Sequence, residues 1–176
     1  MLIRVAIGVA ALLWLAGCSP STGAQPPARD YLRITAPYRL VGPSADDQAA
    51  LDAVVRSDKV APYLRSSSAS TARRDDGPGA LVFVLVFTRA AVNSSGYLGG
   101  FVDGMVGGSP TTHVRLGAFD ATGFQRGGFA GIVWIDDDTL VAIRGLDSAF
   151  VTDVARAIVT ARRSAGMRLH PGPTTA

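Results

Sequence analysis

An apolar run at residues 80–88, with the sequence ALVFVLVFT, constrains the fold of this chain more than any other segment. The run is rich in β-branched and aromatic residues, and it is bounded by Gly-Pro-Gly on one side and Arg89 on the other. At this length, an uninterrupted apolar run is typical of a strand buried on both faces rather than of a helix. We therefore expect a sheet to be built around this strand.

Three later segments also show strand patterns, at residues 111–119, 129–135 and 139–144. The sequence Asp-Ala-Thr-Gly at residues 120–123 has the composition of a turn, because Asp and Gly suit tight backbone conformations. Three consecutive aspartates at residues 136–138 are expected to form a tight, solvated connection between the last two strands.

Two segments have the apolar period of an amphipathic helix. Ser44 can cap a helix over residues 44–59, and Asp147 can cap a second helix over residues 148–165. A side-chain oxygen at the cap position satisfies a backbone N–H that the first helical turn leaves without a partner. The second helix has the broader apolar face.

Helices that flank a run of strands, rather than alternate with them, predict an α+β fold. We expect a mostly antiparallel sheet of about four strands with two amphipathic helices packed on one face. Residues 31–41 add a short edge strand or an extended segment, because Pro37 interrupts their alternation. The polar residues 66–79 are expected to form a loop.

A glycine recurs every four residues across residues 96–108, GYLGGFVDGMVGG. A helix would align these glycines in one row, as in helices that approach each other closely in membranes. A mobile flap or an irregular strand is the favoured interpretation, because each glycine costs a helix interior about 1 kcal/mol. In either form, the apolar side chains make a candidate contact surface. They are Tyr97, Leu98, Phe101, Val102 and Met105.

The chain begins with one basic residue, Arg4, then an apolar stretch at residues 5–16 and the sequence Leu-Ala-Gly-Cys ending at Cys18, the single cysteine. This pattern resembles the leader of bacterial lipoproteins, in which a lipobox ends at the lipidated cysteine. The resemblance implies that residues 1–17 are a signal peptide and that Cys18 carries the lipid. The apolar stretch is too short to span a bilayer, which takes about 20 residues.

The rest of the chain divides by composition into three parts. The small, polar, Pro-rich residues 18–30 predict a flexible tether, residues 31–166 a single α+β domain, and residues 167–176 a disordered tail. The tether would separate the domain from the lipid at Cys18.

The order of elements after the leader is similar to that of small envelope lipoproteins of unassigned function. The matching segments are residues 80–88, 114–123, 129–134 and 150–163. This resemblance implies a place on the outer membrane facing the periplasm, and it brings no catalytic residues with it. Ser19 agrees, since Asp after the lipidated cysteine is the familiar inner-membrane retention signal in enteric-type bacteria. A Gram-positive-type cell would instead display the protein on the outer face of its plasma membrane.

Residue types that carry catalysis or bind metals are scattered along the chain. His113 and His170 lack partners at metal-ligand spacing, and three successive aspartates at residues 136–138 do not converge on one cation without a special turn. Ser109, His113 and Asp120 match no nucleophile motif, so a turn serine and a surface histidine are favoured. We expect no catalytic residues, no metal and no cofactor. The net charge of +3 is too small to indicate nucleic-acid binding.

These observations predict a lipid-anchored envelope protein that acts as a non-enzymatic structural or adaptor subunit. Its partners would be the membrane, through Cys18, and either an envelope protein or a second copy of itself. The alternative is a binding module for a lipid or other apolar ligand, with residues 96–108 closing over the sheet. That alternative requires an apolar cavity lined by four aromatic residues. They are Phe83, Phe87, Phe101 and Trp134.

Overall fold

A computed structural model describes residues 27–75 and 77–165. Short 3-10 turns at Ala28–Tyr31 and Ala61–Tyr63 accompany the regular elements. In chain order, these elements are β1 (Tyr38–Val41), α1 (Ala45–Val55), β2 (Leu64–Arg74), β3 (Ala80–Phe87), α2 (Arg89–Asn93), α3 (Tyr97–Val106), β4 (Thr111–Leu116), β5 (Phe119–Arg126), β6 (Phe129–Asp136), β7 (Thr139–Gly145) and α4 (Ser148–Ser164).

The strands form one antiparallel sheet in the order β1-β2-β3-β7-β6-β5-β4. The α+β class is confirmed, but the sheet has seven strands where about four were expected. β3 lies near the centre and is buried over almost its whole length, as its apolar run predicts.

Helices cover both faces of the sheet, so the expectation of two helices on one face is wrong. On one side, which we call the α4 face, Val82, Val84 and Val86 pack with α4 and the Ala28–Tyr31 turn. On the other side, the α3 face, Leu85 and Phe87 pack with residues of α1, α2 and α3. The cause is the apolar run in β3: successive side chains point to opposite faces, so each face needs its own cover.

Two strands escape the sequence patterns. Residues 66–79 were expected to be a loop, but most of them belong to β2, which pairs with β1 and β3 along its length. The turn expected at residues 120–123 lies inside β5, because the chain reverses earlier, at Gly117 and Ala118. Gly117 has φ +64°, a conformation that favours glycine.

The glycine-rich segment forms α3, so the favoured flap or irregular strand is wrong and the segment is helical. Tyr97 and Phe101 both make edge-on contacts with the ring of Phe87, at centroid distances of 5.9 and 5.5 Å. The outward side carries Gly100 and Gly104, which are exposed, and a Cβ added to either would have no atom within 4 Å apart from the neighbouring backbone of α3 itself. Docking of the apolar side on the sheet offsets the low helix propensity of the glycines.

Close packing at the N-terminal side begins at Ala28, before the expected domain boundary at residue 31. Ala28 and Tyr31 are buried, and the Ala28 backbone N–H donates to Ser66 Oγ at 3.0 Å. The proposed signal peptide, most of the tether with Cys18, and the C-terminal tail lie outside the described residues.

Candidate binding groove

A groove of about 380 Å³ opens on the α3 face at one end of the sheet. Its floor includes Thr71, Leu81 and Arg144, which are register partners on the neighbouring strands β2, β3 and β7. Because directly paired residues point to the same face, these side chains form one row across the sheet. The first turn of α1 forms one wall. The lining residues are Gly42, Pro43, Ser44, Asp47, Thr71, Arg73, Gly79, Leu81, Phe129, Arg144, Gly145 and Leu146.

Two arginines give the groove its positive charge. The guanidinium of Arg144 lies 4.9 Å from the centre of the Phe129 ring, and its Nη2 is 3.5 Å from Oδ1 of Asp47. Arg73 is exposed and makes no hydrogen bond or ion pair with the part of the chain that the structure describes. It also stands opposite Arg39 on β1, and like charges in that position disfavour the strand pair.

Apolar side chains stand at the rim of the same groove. Leu146 is 70% exposed and Phe129 is 40% exposed, and both rank among the most exposed large apolar residues of the described chain. An exposed apolar surface next to unpaired positive charge is a mixed surface that can take a ligand with both properties.

At the opposite end of the sheet, at the β6–β7 turn, charged side chains pair with one another. Asp136 Oδ2 lies 2.6 Å from Arg162 Nη2, Asp137 Oδ1 3.3 Å from Arg89 Nη1, and Asp138 Oδ2 3.5 Å from Arg65 Nη1. The three arginines come from α4, α2 and β2, so one turn is tied to three different elements. We call this end the aspartate end.

The expectation of a solvated connection at this end is wrong. Asp136 and Asp138 are buried rather than solvated, and Arg162 is only 3% exposed. The Asp136–Arg162 contact is a close charge pair rather than a well-directed hydrogen bond, and Arg162 also lies 4.1 Å from the centre of the Tyr31 ring. Within the described ranges, no group of three or more His, Cys, Asp or Glu side chains is arranged to hold a metal ion.

The predicted contact surface on the glycine-rich segment is turned partly inward. Its five side chains are half-buried and pack against the cluster on the α3 face. Tyr97 also donates its hydroxyl to the Lys59 carbonyl at 2.8 Å, and burial together with nearby Tyr63 raises its pKa. The surface therefore contributes to the fold, and each of its side chains is only partly exposed to a partner. Its members are Tyr97, Leu98, Phe101, Val102 and Met105.

The apolar cavity required by the alternative function cannot form from its four aromatic residues. Phe83, Phe87 and Phe101 lie on the α3 face, whereas Trp134 lies on the α4 face. The sheet itself separates them.

His113 and Asp120 come together, as two of the three residues considered for a triad. His113 Nε2 lies 2.9 Å from Asp120 Oδ1 on an exposed part of the sheet, and Arg115 pairs with the same carboxylate. Hydrogen bonds from Arg115 and His113 lower the pKa of Asp120. Ser109 makes no hydrogen bond with either residue among those described, so the pair lacks a nucleophile held beside it.

No helix in the described part of the chain is both long and apolar enough to cross a membrane. Comparisons with known proteins find no matching family model, no matching curated protein and no matching solved structure.

The groove was missed by sequence reasoning because its residues come from distant segments. The strand order and register must be known before one can see that Arg73, Leu81 and Arg144 share a face of the sheet.

Proposed function

We propose that this chain is a lipid-anchored envelope protein that acts as a non-enzymatic structural or adaptor subunit, with the groove as its partner-binding surface. The observation that supports this function best is the exposed apolar rim of Leu146 and Phe129 beside Arg73, a charge without a partner in residues 27–75 and 77–165. Exposed apolar groups next to unused charge are typical of surfaces that another molecule covers.

The position of the groove agrees with an anchor at Cys18. The N-terminal side of the domain meets the sheet through Ala28 and Ser66, and Ser66 pairs with Val86 at the aspartate end. The groove row contains Leu81 on the same strand, about 17 Å away at ~3.3 Å per residue. The place where the N-terminal segment meets the sheet and the groove therefore lie towards opposite ends of β3.

Site-specific photo-crosslinking in the native membrane tests this function. A photoreactive phenylalanine analogue is placed at Leu146 in the full-length chain, with a matched control at Val54, which is 43% exposed on α1. We expect a discrete polypeptide adduct from Leu146 that is absent from Val54. Identical adduct patterns, or no polypeptide adduct from Leu146, would contradict the proposal. In a parallel sample, Cys18→Ser should release the protein from the membrane fraction.

A small amphiphilic molecule is the second candidate occupant. The groove volume of about 380 Å³ lies in the range of small-molecule sites, roughly 300–1,000 Å³. In the same crosslinking experiment, a low-mass adduct at Leu146 without a polypeptide would favour this candidate.

A further inference from the structure

We propose that the groove binds an acidic segment of the partner polypeptide, with a carboxylate of that segment held between Arg73 and Arg144. This inference rests on the proposed function and specifies the chemistry of the partner. It starts from charge: the groove contains two guanidinium groups and one carboxylate, that of Asp47.

Asp47 is already engaged by its own helix. One of its oxygens accepts a hydrogen bond from Ser44 Oγ at 2.6 Å, and its backbone N–H donates to the same hydroxyl at 3.1 Å. Its other oxygen is 3.5 Å from Arg144 Nη2, which is longer than a good charge-assisted hydrogen bond. Asp47 therefore leaves most of the donor capacity of Arg144 unused, and it does not reach Arg73.

Guanidinium groups favour carboxylates because their N–H donors form a planar fork that matches the two carboxylate oxygens. Arg73 is two residues from Thr71 on β2, so it lies on the same face as Arg144 and borders the same groove. A carboxylate between them would also screen the repulsion between Arg73 and Arg39, which face each other across β1 and β2.

The apolar rim specifies the neighbour of that carboxylate. Leu81 forms a buried floor, while Phe129 and Leu146 stand exposed at the side. An apolar side chain next to an Asp or Glu in an extended peptide would cover them. An anionic lipid headgroup carries similar charge, but the groove lies about 17 Å along β3 from the place where the N-terminal segment meets the sheet. The carboxylate and the apolar side chain of one extended peptide can occupy both parts of the groove, so its mixed charged and apolar lining favours a polypeptide.

The test combines the Leu146 crosslink with substitutions in the full-length, membrane-bound protein. Arg73→Gln and Arg144→Gln remove the two charges, and Arg74→Gln is the matched control. Arg74 is the next residue on β2, is also exposed, and points to the opposite face outside the groove. The unfolding midpoint of each variant is measured in parallel, so that loss of folding is not mistaken for loss of binding.

We expect the polypeptide adduct to fall about tenfold with Arg73→Gln and with Arg144→Gln, and to stay unchanged with Arg74→Gln. The mapped partner peptide should contain Asp or Glu beside an apolar residue. The yield of the adduct should also decrease as the salt concentration is raised from about 50 to about 500 mM, because salt screens attraction between partly exposed charges. A polypeptide adduct that ignores both arginines, or a partner peptide without an acid, would overturn this inference and leave the proposed function standing. A phospholipid adduct, or no polypeptide adduct, would overturn both.

Discussion

The two ends of the sheet differ in how closely their arginines are paired with carboxylates. At the aspartate end, Arg162, Arg89 and Arg65 each pair with one of three consecutive aspartates. At the groove end, Arg73 has no partner among the described residues and Arg144 has a loose one. Charges that hold the fold together are paired and partly buried, whereas Arg73, which has no partner among the described residues, and the loosely paired Arg144 have donors left for a ligand.

The difference has a physical basis in burial. Arg162 and Asp136 have side chains that are only 4% exposed, so neither charge is compensated by water and each requires the other. Arg73 is exposed and has no partner among the described residues, so we expect the stability of the sheet not to depend on its charge. Substitution of one residue at each end tests this difference, with the free energy of unfolding as the measured quantity.

The largest effect is expected for Asp136→Asn. The substitution leaves the buried Arg162 guanidinium without a counter-charge, so the free energy of unfolding should fall by about 3–5 kcal/mol. Urea denaturation measures it. The matched control is Asp153→Asn, which breaks an exposed pair with Arg156 and should cost less than about 1 kcal/mol. Equal losses in the two variants would remove the distinction between buried and exposed pairs.

A smaller effect is expected at Tyr31, whose ring covers the Arg162 guanidinium at 4.1 Å. In a double-mutant cycle with Tyr31→Leu and Arg162→Met, the coupling free energy should be about 0.5–2 kcal/mol, as for a desolvated cation–π contact. The cycle is measured by urea unfolding of all four proteins. A coupling near zero would mean that Tyr31 contributes only apolar burial.

Arg73→Gln should leave the free energy of unfolding within about 0.5 kcal/mol of the unsubstituted protein. Relief of the repulsion with Arg39 could shift the value only towards higher stability. A loss of about 2 kcal/mol would show that Arg73 stabilises the fold, and it would contradict the proposed difference between the two ends.

The smallest effect concerns Asp120, which is paired and exposed. Hydrogen bonds from Arg115 and His113 lower its pKa, so its folded-state pKa lies below its unfolded value. Its contribution to stability is then present above the unfolded value and is lost as pH falls through the folded one, below about pH 4. Carboxyl NMR titration should show the Asp120 pKa rising in Arg115→Gln. An unchanged pKa would contradict the assigned cause.

The elements that sequence predicted are those whose signal is local. The apolar run of β3, the caps Ser44 and Asp147, and the broad apolar face of α4 each identify their element without reference to the rest of the chain. Both caps form as expected: the Asp47 N–H donates to Ser44 Oγ, and the Phe150 N–H donates to Asp147 Oδ1.

The elements that were missed depend on partners far away in the chain. β2 has the sequence LRSSSASTARR, whose small polar residues become a strand because β1 and β3 pair with it on both sides. α3 depends on the aromatic cluster around Phe87, which no local pattern reveals. The buried state of Arg162 likewise requires Asp136 and Tyr31 to be placed beside it.

The candidate site was less predictable than the fold for the same reason. Arg73 is exposed, but its place in the groove depends on the register that aligns Thr71, Leu81 and Arg144. The lipid on Cys18 remains a prediction from the leader, outside the described residues.

The most direct test of the contrast is the ratio of Leu146 crosslinking yields between Arg73→Gln and Arg74→Gln, in proteins of equal unfolding midpoint. If the groove arginines serve binding rather than folding, the yield should be about tenfold lower for Arg73→Gln. Equal yields would contradict this account, because removal of the charge inside the groove would then affect binding no more than removal of a charge on the opposite face.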